Sequence, residues 1–62
     1  MKVIEAIRKY GLENSIKHYK DQFGNKHDTD IPLDELADMP VKAVAIYPFY
    51  DEAEITIICW RA

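Results

Sequence analysis

The chain has a single cysteine, Cys59, so it cannot form an intrachain disulfide. Its histidines and cysteine do not fall at the spacing of a structural metal site, so no metal and no cofactor is expected. No run approaches the roughly 18 consecutive apolar residues of a membrane span. The opening Met1-Lys2-Val3-Ile4-Glu5 lacks the apolar core of a signal peptide, and a reducing, cytoplasmic setting is the expectation. Basic excess is missing as well: the formal net charge is −3, which argues against a nucleic-acid footprint. What remains is a single domain spanning 1–62. A chain of that size buries only about 60% of its unfolded surface, so the core needs a supplement. With disulfides and metals set aside, the supplement expected is self-association.

The most ordered pattern lies between Val41 and Trp60. Two runs rich in β-branched and aromatic residues, Val41 to Tyr50 and Ile55 to Trp60, flank the acidic break Asp51-Glu52-Ala53-Glu54, the pattern of a β-hairpin. Pro48 lacks an amide donor, which makes the first strand an edge or bends it. Upstream, Val3, Ile7 and Tyr10 share one helical stripe with Ile4 beside them, and Gly11 is placed to end that helix with Leu12 folding back on Ile7. Leu12, Ile16, Tyr19 and Phe23 recur at helical spacing and predict a second helix over residues 13–22, with a strand from Ile16 to Lys20 as its rival. Residues 24–30 read as a polar loop. Pro32 to Asp38 predicts one or two helical turns, stopped where Met39 precedes Pro40. The fold class is therefore α+β: two short N-terminal helices, a helical turn and a C-terminal β-hairpin. The apolar second strand would leave an edge needing cover. The sheet is expected to be completed by dimerisation through Ile55, Ile57, Ile58 and Trp60.

Few residues invite chemistry. His18, His27, Asp28 and Asp30 match no metal-ligand pattern with a mechanism behind it and read as a solvated element and a polar loop. Cys59 between Ile58 and Trp60 reads as a small buried hydrophobe with no base assigned to it. Adjacent carboxylates such as Asp34/Glu35 and Asp51/Glu52 read as solvated surface. No catalytic residue is expected, and the chain does not read as an enzyme. Two helices joined at Gly11-Leu12 allow a helix-turn-helix, with Lys17, His18 and Lys20 offered to a groove, an alternative that would make the chain a small regulatory DNA-binding dimer. A dimer holding a small ligand between subunits is a further alternative.

Charge is uneven. Residues 1–26 hold six basic against three acidic side chains, and residues 27–62 hold two against eight. Four of the seven aromatics (Tyr47, Phe49, Tyr50 and Trp60) lie on or beside the hairpin, and Phe49-Tyr50-Asp51-Glu52 would form an aromatic–acidic tip. Acidity and aromatics together favour a protein-binding surface made of Phe49, Tyr50, Asp51 and Glu52 with Asp34, Glu35 and Asp38. In size, acidity and single-cysteine content the chain resembles the short accessory proteins that phages and mobile elements encode to inhibit a host protein. Ile7-Arg8-Lys9-Tyr10-Gly11-Leu12-Glu13-Asn14 and the Ile55 to Trp60 run are the stretches nearest to carrying that resemblance. It implies a homodimer that blocks a host defence or nucleic-acid-processing protein, its acidic face occupying a basic groove.

Overall fold

Val3–Lys9 forms helix α1 in the computed structural model, which describes residues 1–27 and 31–60. The Glu5 carboxylate accepts the Lys2 N–H (3.2 Å) and so satisfies one donor at the helix start. The stop is the one the sequence predicts. Gly11 adopts φ +64°, its N–H donates to Arg8 O, and Leu12 N–H reaches Ile7 O at 2.9 Å, the paired bonds of a Schellman turn. Ile7 and Leu12 are both buried.

The second helix is not there. Ile16–Lys20 is strand β1, which turns through residues 21–25 into the two-residue β2, Lys26–His27. Tyr19 alone of β1 is buried, and Phe23, the fourth member of the supposed helical stripe, is exposed at the turn. Lys17 explains why so polar a segment holds its place. Its Nζ donates to the carbonyls of Leu12 (2.9 Å), Ser15 (2.9 Å) and Glu13 (3.3 Å), tying the strand to the loop that follows α1. The turn is built on Asp21, whose carboxylate accepts the N–H groups of Phe23 and Asn25, and on Gly24 at φ +84°.

Leu33–Leu36 forms the short helix α2; Pro32 precedes it and Leu36 is fully buried. Val41–Tyr47 is β3, Pro48–Tyr50 a 3-10 turn and Glu52–Ile57 β4. The four strands form one mixed sheet in the order β2-β1-β4-β3, with β4 antiparallel to β3 and parallel to β1. The expected acidic break is thus strand, since Glu52, Ala53 and Glu54 open β4, whereas Ile58, Cys59 and Trp60 lie beyond its end.

This order corrects the dimer expectation in its original form. β4 is hydrogen-bonded along both edges within the chain, so it has no edge to offer a second copy. Ile55 and Ile57, assigned to the interface, are fully buried in the core with Val3, Ile7, Leu12, Leu36 and Ala53. One face of the sheet receives α1 and α2; the other carries no covering element among the described residues. Ile55→Ala is expected to cost about 2–5 kcal/mol in urea denaturation. Ile58→Ala, at an exposed position, is expected to change stability by less than about 0.5 kcal/mol. Equal effects would contradict the placement of β4.

Candidate functional site

The connection between β3 and β4 presents the aromatics. Pro48 fixes the backbone at the first position of the 3-10 turn. Asp51 then takes a left-handed conformation (φ 51°), one that a short polar side chain tolerates better than most. Its N–H closes on Pro48 O, and its own carbonyl accepts Ile16 N–H from β1 at 2.8 Å. The turn is thereby anchored to the sheet while its side chains stay outside. Phe49 is 96% exposed and Tyr50 73%. These rings fill no core.

The uncovered sheet face adjoins this tip. Along β4 the side chains alternate strictly, with Ala53, Ile55 and Ile57 buried and Glu52, Glu54 and Thr56 on the open side. Register places His18 and Lys20 of β1, Lys26 of β2 and Ala43, Ala45 and Tyr47 of β3 on that same side. Glu54 accepts Lys20 Nζ at 2.8 Å and lies 3.9 Å from Lys26, while Glu52 lies 3.9 Å from His18. The Lys20 hydrogen bond holds the Glu54 carboxyl below its ordinary pKa, and the same bond raises that of Lys20. A shallow groove of about 390 Å³ runs here, lined by His18, Lys26, Tyr47, Tyr50, Glu52 and Glu54. Two lysines share Glu54, so the carboxylates without a lysine partner are Glu52 and Asp51, both beside the exposed rings.

Phe49, Tyr50, Asp51 and Glu52 are therefore brought together as the sequence suggests, but the other acidic residues are not part of the same patch. Asp38 pairs with Lys2 (3.5 Å) next to the start of β3, the end of that strand opposite the tip. Asp34 and Glu35 sit exposed on α2, in the helical layer. Ile58 is exposed, and Cys59 is exposed too, so the expectation of a buried thiol is corrected: the chain has already left the sheet at Ile57. The proposed recognition helix for DNA is strand β1, which removes the element that reading required. His18 and His27 occupy opposite faces of the sheet, and no metal-ligating group of three occurs among the described residues. Asp28 and Asp30 lie outside those residues. No described helix is long and apolar enough to cross a membrane.

Comparison with models of protein families, with curated proteins and with solved structures finds no match to this chain.

A polar cluster that the sequence reading did not anticipate locks the far end of the sheet. The buried Asp21 carboxylate accepts His27 Nε2 at 2.8 Å, and the His27 ring stacks on Trp60 with centroids 4.2 Å apart and planes 16° from parallel. Trp60 N–H donates to Gln22 Oε1 at 3.0 Å, so the residues after β4 are held against the β1–β2 turn. The only sequence signal was an Asp followed by turn residues and a histidine. The hydrogen bond from His27, with those from Asn25 and Phe23, lowers the Asp21 pKa from 3.8 to about 2. Unfolded chain then takes up protons before folded chain as pH falls, so this contribution is complete well above pH 3.8 and is lost on descent toward about 2. Asp21→Asn is expected to be less stable than the parent at neutral pH. The difference should shrink steadily on acidification from about pH 5 to pH 2, as read by urea denaturation. A gap that is independent of pH would contradict the carboxylate's role.

Proposed function

We propose that the chain is a small non-enzymatic protein-binding module, acting as a homodimer, that binds and inhibits a host protein through the tip Phe49, Tyr50, Asp51 and Glu52. The observation that carries this reading is the near-complete exposure of Phe49 on a turn whose backbone is fixed by hydrogen bonds at both ends. An aromatic ring left in water adds nothing to its own core, and a turn backbone ordered in advance lowers the entropy lost on binding. Aromatic anchors of this kind dominate interface energetics. The carboxylates beside the rings, Asp51 and Glu52, have no lysine partner and point to a basic partner surface, such as the groove of a nucleic-acid-handling protein.

Size sets a further condition. A standard interface takes about 800 Å² from each partner, against a total surface of 4338 Å² for this chain. The tip alone is too small, so the adjoining open face with Tyr47, Glu52 and His18 would have to join it.

Affinity capture from nuclease-treated host lysate, repeated with variants, tests the reading. Phe49→Ala and Tyr50→Ala should each weaken capture of the same stoichiometric protein by about tenfold or more. Both should leave the melting temperature nearly unchanged, because neither ring is packed. Capture that survives both substitutions would remove the tip from the interface. A substrate-like small molecule recovered in place of a protein would overturn the reading altogether.

A further inference from the structure

Since β4 is enclosed, the outer strands of the sheet among the described residues are β2 and β3, and their edges differ greatly. β2 has two residues; β3 has seven. The N-terminus already covers the start of the β3 edge, where Val41 N–H donates to Met1 O (2.7 Å) and Lys2 bridges to Pro40. From Ala43 to Tyr47 no described strand lies outside it. This stretch, Ala-Val-Ala-Ile-Tyr, has no charge and no proline, and its usual protectors stand only at its ends as Lys42 and Pro48. We propose that a second copy of the chain pairs here, antiparallel, about a two-fold axis through Ala45, giving one continuous eight-stranded sheet. The proposal rests on the homodimer reading above and relocates its contact from β4 to β3.

The strand is complementary to itself in this register. Residues directly opposite in an antiparallel pair point to the same face. A two-fold axis at Ala45 sets Ala45 against its own copy, Val44 against Ile46 and Ala43 against Tyr47. The smallest side chains thus meet at the axis. Tyr47, half exposed in the single chain, lies over an alanine, and the exposed Ile46 packs beside a valine on the helical side. Lys42 falls level with Pro48 of the second copy, where the missing N–H ends the ladder, and points towards the acidic tip at Asp51 and Glu52. Like charges face each other nowhere along the five residues. Shifting the axis to Val44 would drive Val41 into an edge that Met1 and Lys2 already occupy.

The test is charge substitution at the axis, read by light scattering and sedimentation, with circular dichroism as the check on folding. The parent should run at twice the 7.2 kDa chain mass. Ala45→Lys and Ala45→Glu each place two like charges against each other, and each alone should weaken association by about 30-fold or more. Mixed together, the two variants should form a heterodimer, an outcome that misfolding of either could not produce. A parent that stays monomeric at high concentration would overturn this inference and the homodimer, leaving partner binding at the tip to its own test. A dimer that persists unchanged in both variants would overturn the β3 edge alone.

Discussion

Strand β4 is confined on three sides, and the arrangement of the other elements follows from that confinement. Ala53, Ile55 and Ile57 are fully buried beneath the helices, and both backbone edges are hydrogen-bonded, to β1 on one side and β3 on the other. Its apolar side chains supply much of the small core, and α1 and α2 lie where they cover those side chains. β1 can be polar because, of the two residues it turns to the helical side, only Tyr19 is buried, while the Lys17 ammonium is held by the loop carbonyls. A buried central strand also explains why such a short chain tolerates an open sheet face: the strict alternation in β4 sends Glu52, Glu54 and Thr56 to water while the same backbone closes the interior.

Elements fixed by neighbouring residues could be read from the sequence, whereas those fixed by distant pairing could not. Helix α1 and its glycine stop depend on contacts within a few residues, and Gly11 and Leu12 carry that signal unaided. Residues 16–20 are a strand because β4, more than thirty positions later, pairs with them in parallel. Nothing local announces that partner, and the spacing of Leu12, Ile16, Tyr19 and Phe23 fits a helix well. The alternation Glu52-Ala53-Glu54-Ile55-Thr56-Ile57 was present but masked by the apolar run that continues through Ile58, Cys59 and Trp60. A strand begun at Ile55 starts three residues late and makes two core residues, Ile55 and Ile57, look like an interface. The aromatic–acidic tip was legible because turn composition and strand ends are local features. The groove behind it needs β1, β2 and β4 side by side and was not.

Electrostatics on the open face adds little to the stability of the fold and decides instead where net charge is left. Exposed or half-exposed ion pairs contribute about 0–1 kcal/mol each, so the Lys20–Glu54 pair and its neighbour Lys26 add little to a core built on β4. What they do is neutralise Glu54 locally. The residual negative charge is left at the Glu52 and Asp51 end of the face, where the exposed rings stand. The Asp21–His27–Trp60 cluster at the other end differs in kind, because its carboxylate is buried and every hydrogen bond to it comes from the same turn or from β2. That end is closed by its own side chains, whereas the tip end leaves its side chains exposed.

The same division bears on how association and partner binding coexist. A ladder formed by Ala43 to Tyr47 uses the outer edge of β3, whereas the groove and tip use side chains that rise from the sheet face and from the turn beyond Pro48. The proposed pairing would share Tyr47 with the groove and leave Phe49 and Tyr50 beyond the ladder. Antiparallel two-fold pairing sends the two tips to opposite ends of the shared ladder, each beside the end at which the other copy's Lys2 and Asp38 lie. Asp38, isolated from the tip within one chain, would then approach the tip of the other. Under the proposed pairing, only part of the acidic surface read from the sequence, Asp38 with Asp51 and Glu52, would be brought together between two chains. Binding through that combined surface, if the proposed pairing forms, would depend on chain concentration.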